Sequence, residues 1–172
     1  MVVPDLVDLV TKYNIRTLLD APCGDFNWAS DVAAAVETYI GVDIVEELIT
    51  RNQREHGGTS RVFLTGDLTR DPLPQADLIL SRDCLVHFSY ADIFAALQNF
   101  RRSGAEYLLT TTFANRPANR NIRTGSWRPL NLQAPPFDFP APLASIDERC
   151  THSGGIYTDK RLALWRLADL AS

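Results

Sequence analysis

Three acidic residues stand where apolar runs give out. Asp20 closes "RTLLD", Asp43 closes "TYIGVD" and Asp67 closes "RVFLTGD". If each run is a strand of one open parallel sheet, the three carboxylates share the carboxyl rim, where such sheets bind ligands. Asp43 follows Asp20 by 23 positions, close to the spacing of an acid that accepts hydrogen bonds from ribose hydroxyls. One carboxylate can accept from both hydroxyls of a vicinal diol. Asp67, in "GDL", could accept from an exocyclic adenine amino group while the Leu68 amide donates to a ring nitrogen. Acids also end strands as plain turn formers, a reading that weakens when three fall in register.

The stretch "PCGDFNW" (22–28) follows Asp20 and narrows the ligand. A pyrophosphate needs a glycine-rich turn that lets backbone approach closely and a helix N-terminus that faces it. Here only Gly24 is present, with acidic Asp25 and bulky Phe26 beside it. Negative charge and bulk both oppose phosphate. The loop suits an adenosine cofactor without phosphates whose remaining part is a small zwitterion.

These residues need a scaffold, and the sequence supplies one. Leu6, Leu9, Val10 and Tyr13 follow Pro4 at helical spacing. Asp25 is placed to cap a helix through "FNWASDVAAAVE", and a further helix through "IVEELITRNQREHGG" stops at Gly57 and Gly58. "ADLILSRD" (76–83) and "EYLLTTTF" (106–113) read as the fourth and fifth strands. Between them a helix is capped by Ser89 and ended by Gly104, with Ile93, Phe94, Leu97 and Phe100 on one face. Residues 142–150 and 160–170 read as two strands without an intervening helix, an antiparallel hairpin closing one edge. The expected fold class is α/β, a three-layer Rossmann-like sandwich. Its seven-stranded sheet is mostly parallel and ends in that hairpin. Residues 114–142 break the pattern as a long Arg/Pro-rich loop, a kind of segment often tied to function.

Composition sets outer limits. The 172 residues fit a single domain, and a net charge of -4 argues against a protein that mainly grips nucleic acid backbone. Cys23, Cys84 and Cys150 are odd in number and scattered, so neither a disulfide framework nor a metal site is expected. No run is long and apolar enough to span a membrane, and "MVVPDLVDLV" lacks the basic start of a signal peptide. A cytoplasmic location is the resulting expectation, with the oligomeric state left open.

Together "DAPCGDF", "GVDIVEELI", "LTGDL" and "LILSRDCLVHF" resemble the successive motifs of class I S-adenosylmethionine-dependent methyltransferases. The terminal hairpin resembles the reversed strand pair that ends that family's sheet, and the resemblance runs from about residue 3 to 170. "DAPCGDFNW", "RDCLVHF" and "TGSWRPLNL" also resemble a little-characterised bacterial subgroup. The resemblance implies S-adenosylmethionine as cofactor, with Asp20, Pro22, Cys23 and Gly24 along its methionine portion and Asp43 on the ribose. Ile44 would lie beneath the adenine, with Asp67 and Leu68 at its edge. Arg82 and Asp83 would sit beside the methionine group and the transferable methyl. It also implies polar residues ahead of the first helix, so a lid over the site is expected to be missing from this chain.

Asp83 and His87, just past the fourth strand, are the candidate catalytic bases. A cofactor or structural contact for Asp83 and a backbone hydrogen bond for His87 are the competing readings. Cys84 and Cys23 read as core fillers. Arg116, Arg120, Arg123 and Arg128 occur with no acid between Glu106 and Asp138. Arg123 and Arg128 could therefore grip an anionic acceptor of small or medium size, with Trp127 stacking on it. The competing role for these arginines is to cap strand ends and cover the sheet's edge. Two other functions remain open at this level: a nicotinamide-dependent oxidoreductase and a non-catalytic adenosyl-cofactor-binding domain.

Overall fold

The protein is described here by a computed structural model covering residues 2–170. Its helices are α1 (Val3–Lys12), α2 (Ser30–Ala34), α3 (Glu46–His56) and α4 (Tyr90–Arg102). Its strands are β1 (Thr17–Asp20), β2 (Thr38–Asp43), β3 (Arg61–Thr65), β4 (Leu78–Ser81), β5 (Tyr107–Phe113), β6 (Ala144–Asp147) and β7 (Lys160–Arg166). They form one sheet in the order β3-β2-β1-β4-β5-β7-β6. Pairing is parallel from β3 through β5, and β7 runs antiparallel to both β5 and β6. The expected mostly parallel seven-stranded architecture ending in an antiparallel hairpin is what the chain adopts; of that hairpin only β7 is reversed, since β6 runs with the other strands.

Side-chain alternation along the strands builds two cores. Leu18, Leu78, Leu80, Leu109, Leu162 and Leu164 face α1, α2 and Ile49 of α3. Their neighbours Leu19, Ile79, Leu108, Ala163 and Trp165 face α4. The sheet is thus apolar on both sides, as parallel strands covered by helices require. On the α4 face, part of the cover comes from the long loop, whose Leu130, Leu132, Phe137 and Phe139 join the core. Those residues fill space that a crossover helix would otherwise take.

Several boundaries differ from the sequence expectation. The helix expected from Asp25 onward begins only at Ser30 and spans 5 residues. Asp25 does not cap it; its carboxylate accepts from the Asn27 amide. The reason is Phe26, which turns inward at φ 59° and packs edge-on against Tyr39 and Phe63 at 5.0 and 5.2 Å. Burying that ring takes precedence over propagating a helix through it. β3 ends at Thr65, so Asp67 lies in the following turn rather than on the strand. In α4, Ile93, Leu97 and Phe100 are buried as expected, whereas Phe94 is 40% exposed at the helix edge beside Phe137.

Gly41 marks where β2 meets this aromatic plug. A Cβ there would lie 2.7 Å from Phe63 Cδ1 and 2.9 Å from Cys23 Sγ. Gly41→Ala is expected to destabilise the protein by about 1–3 kcal/mol, the usual range for overpacking. Gly58→Ala, where a Cβ meets nothing within 4 Å, provides the control in urea unfolding.

Candidate active site

Strand order reverses between β1 and β4, and the crevice beyond the carboxyl ends of such strands is where open α/β sheets bind ligands. Asp20 ends β1 at this point and is completely buried. Its Oδ2 accepts a 2.7 Å hydrogen bond from the Tyr39 hydroxyl, while Oδ1 has no partner among the described residues. Burial pushes the carboxyl up to about 7, opposed by the Tyr39 hydrogen bond and by Arg82. A buried carboxylate oxygen lacking a donor is costly, and a ligand ammonium would remove that cost.

The loop after β1 is held from two sides. The Gly24 amide donates to Asp43 Oδ2 at 3.0 Å, and the Gly24 carbonyl accepts from Asn52 Nδ2 at 2.7 Å. Gly24 itself has φ 55°, a conformation that suits a residue without Cβ. Asp43 Oδ1 also accepts from the Val45 amide at 3.0 Å. Each carboxylate oxygen has a second lone pair, so Asp43 can fix the loop and still receive a diol. Pro22 is half-buried beside it and Cys23 is buried. The Cys23 thiol is pushed up to about 12 by burial and by the Asp20 and Asp43 carboxylates, and Cys84 to about 12 by burial. Both remain protonated, as core fillers do.

Ile44, 63% exposed, projects just past the end of β2, whereas Leu68 is buried. Asp67 is occupied with its own turn. Its Oδ1 accepts from the Thr69 amide and hydroxyl at 2.9 and 2.6 Å, and Oδ2 lies 3.1 Å from Arg70 Nε. Burial raises this carboxyl, but the Thr69 hydrogen bonds and Arg70 outweigh it and hold it below its ordinary value.

Beyond β4 the side chains form a charge chain. Arg82 donates to Glu148 Oε2 from Nε and Nη2 at 3.0 and 2.8 Å, with its guanidinium 4.9 Å from the Trp28 ring. Lys160 Nζ lies 2.7 Å from Asp83 Oδ2 and 3.3 Å from Glu148 Oε2. Asp83 therefore enters the site as half of an ion pair. His87 is exposed, and its Nδ1 lies 2.9 Å from the Ser126 carbonyl oxygen. A carbonyl only accepts, so Nδ1 carries a proton, and Nε2 is the ring nitrogen left without that tie.

The arginine loop corrects one expectation. Arg128 is completely buried and does not reach an acceptor. Its Nη1 and Nη2 donate to the Leu85 and Phe88 carbonyls, both at 2.9 Å. Arg116 pairs with Asp159 at 2.8 Å. Arg123 is exposed but does not line the pocket that holds Trp127, Asp83 and His87. No group of three or more metal-ligating side chains occurs among the described residues, and no helix there is long and apolar enough to cross a membrane.

A family model described as "methyltransferase domain" matches residues 18–105, just over half of the chain. The chain belongs to that family. Solved structures share the fold at low identity. The methyltransferase domain of a bacterial Hen1 is 15% identical, with TM-score 0.56, covering 64% of this chain and 63% of that one. Magnesium protoporphyrin IX methyltransferase from Synechocystis is 17% identical, with TM-score 0.54, covering 70% and 64%. Human N-acetylserotonin methyltransferase is 13% identical, with TM-score 0.58, covering 75% and 42%. The chain thus spans less than two thirds of each of these proteins. No curated protein matches it in sequence.

Four polar residues of this methyltransferase domain escape a sequence reading. Asn52 sits three positions after buried Ile49, on the inward side of α3; a polar side chain on that stripe signals a buried hydrogen bond. Tyr39 hides in an apolar strand. Glu148 and Lys160 face each other across the β6–β7 pair, where the Glu148 amide donates to the Lys160 carbonyl. Their only sequence signal is opposite charge at facing hairpin positions.

Two predictions concern these buried groups. Asp20 holds its proton more tightly folded than unfolded, where its value is 3.8. Its contribution to stability is therefore full below 3.8 and is lost as pH rises to about 7. Asp20→Asn should flatten that part of the stability–pH curve in cofactor-free protein, measured by urea unfolding. Arg128→Leu strips two carbonyls of a charged donor and should cost about 3 kcal/mol in the same assay.

Proposed function

We propose that the protein transfers a methyl group from S-adenosylmethionine to an acceptor of small or medium size. The observation that carries this reading is the buried, unpartnered Asp20 Oδ1 at the reversal of strand order. Asp43 beside it still has accepting capacity. When bound, S-adenosylmethionine supplies an electrophilic methyl on a sulfonium. Asp20 would hold its ammonium, Pro22, Cys23 and Gly24 would flank the methionine chain, and Asp43 would take the ribose. Exposed Ile44 would lie under the adenine, with Asp67 and Leu68 at its edge. Arg82 and Asp83 would border the reacting end, where positioning supplies much of the rate in an in-line displacement. Two of the structural neighbours were crystallised with S-adenosylmethionine or S-adenosylhomocysteine, which supports the choice of cofactor.

A nicotinamide dinucleotide fits the loop poorly, because Asp25 and inward-turned Phe26 replace the glycines and open donors that phosphates need. A purely sensory domain would not need an imidazole in the wall of a pocket beside the crevice, where His87 stands. The free cysteines, two of them buried, fit a cytoplasmic setting.

Thermal and chemical unfolding with each ligand tests the cofactor. At roughly 100 times Kd, S-adenosylhomocysteine should stabilise the protein by about 2.7 kcal/mol, and NAD should not. The reverse order of stabilisation would reject the proposal. Affinity for S-adenosylmethionine should also rise with pH up to about 7, because its ammonium binds the ionised form of Asp20. Asp20→Asn should remove that dependence in calorimetric titrations.

A further inference from the structure

Next to the crevice lies a pocket of about 370 Å3 lined by Asp83, His87, Phe113, Trp127, Tyr157 and Lys160, with Cys150 at its side. That volume, at the low end for ligand sites, holds a molecule of one or two rings. Three of its walls are aromatic, and they brace one another edge to face. Trp127 and Tyr157 are 5.1 Å apart, Phe113 and Tyr157 5.7 Å, Phe113 and Trp127 6.1 Å. Yet Trp127 remains 39% exposed. A large ring fixed by its neighbours but left open to water is a stacking surface without a partner.

The ions around the pocket cancel. Lys160 is matched by Asp83 and Glu148, and Arg116, 5.5 Å from the Tyr157 ring, is matched by Asp159. Among the described residues no unpaired lysine or arginine lines the pocket to select an anion. His87 is oriented because Nδ1 is tied to the Ser126 carbonyl and the His87 carbonyl to the Gly125 amide, which leaves Nε2 as the ring nitrogen free of that tie. Asp83 joins the pocket to the crevice, since it follows β4 directly after Arg82.

From this geometry we infer that the pocket takes a neutral, flat aromatic alcohol as methyl acceptor, with Trp127, Tyr157 and Phe113 as walls and His87 as base. The inference rests on the methyl-transfer reading and names its substrate class. The acceptor oxygen forms the new O–CH3 bond as the S–CH3 bond breaks. That bond's electron pair stays on sulfur, leaving neutral S-adenosylhomocysteine. The hydroxyl proton passes to His87 Nε2 and then to solvent, so charge and atoms balance.

The test uses the intact protein and 2-naphthol, with hexanoate and methyl glucoside as anionic and sugar probes. S-adenosylhomocysteine binding is measured first by calorimetry, so failure of the cofactor reading shows by itself. 2-Naphthol is then titrated into loaded protein, or into free protein if loading fails. It should bind in preference to both other probes. Trp127→Ala should weaken it about tenfold, Trp127→Phe should retain it, and Arg123→Ala should leave it unchanged. His87→Gln should keep 2-naphthol affinity while slowing formation of 2-methoxynaphthalene by about a hundredfold or more. Preference for hexanoate or methyl glucoside, no 2-naphthol binding, or undiminished affinity in Trp127→Ala would each overturn the inference.

Discussion

A buried guanidinium governs the pocket side of this molecule. Arg128 lies wholly inside the protein, where a charge survives only if its donors are used. Nη1 and Nη2 donate to the Leu85 and Phe88 carbonyls, Nε has no partner among the described residues, and the Arg128 amide donates to the Val86 carbonyl. The loop from residue 121 to 128 is thereby strapped across the start of α4. Asn121 and Thr124 accept from the Tyr90 and Ser89 amides there, supplementing the Ser89 side-chain cap. This strap brings the Ser126 carbonyl to His87 and leaves Trp127 at the pocket wall. A wholly buried residue thus sets the position of two that line the pocket.

The cofactor side follows a different logic. Phosphate recognition would need open donors and little side-chain bulk, and the bend after β1 provides neither. It is instead closed on itself by Asp43 and Asn52, with Phe26 packed beneath it among Tyr39 and Phe63. Rigidity here comes from aromatic packing and hydrogen bonds to the Gly24 peptide. The polarity behind the bend comes from buried carboxylates, one of which keeps an oxygen without a partner among the described residues. Such a surface favours a cationic, hydroxyl-bearing guest over an anionic one.

The terminal antiparallel hairpin connects the two sides. Glu148, directly after β6, and Lys160, at the start of β7, meet Arg82 and Asp83 after β4 in one chain of alternating charges. Glu148 is buried, so the pairing is poorly screened and fixes the geometry of the segment between the crevice and the pocket. The hairpin therefore closes the sheet's edge and also shapes the site. This neutrality is what separates the pocket from the basic face that a count of loop arginines suggests.

The order of strands and helices, the Ser89 cap, Asp20 and Asp43 at the ends of β1 and β2, and a bend after β1 poor in glycine were legible in the chain itself. They arise from local patterns: apolar alternation, caps and glycine positions. What the arginines of the long loop do was not legible, because a side chain's partners there lie about forty positions away, as for Arg128 with Leu85 and Phe88. The same holds for Asp67, whose carboxylate turned back on Thr69, and for Phe26, whose burial shortened α2. Periodicity and spacing report which face a residue occupies. Only the folded chain decides whether a charge on that face meets water, a carbonyl or an opposite charge, since desolvation depends on everything packed around it.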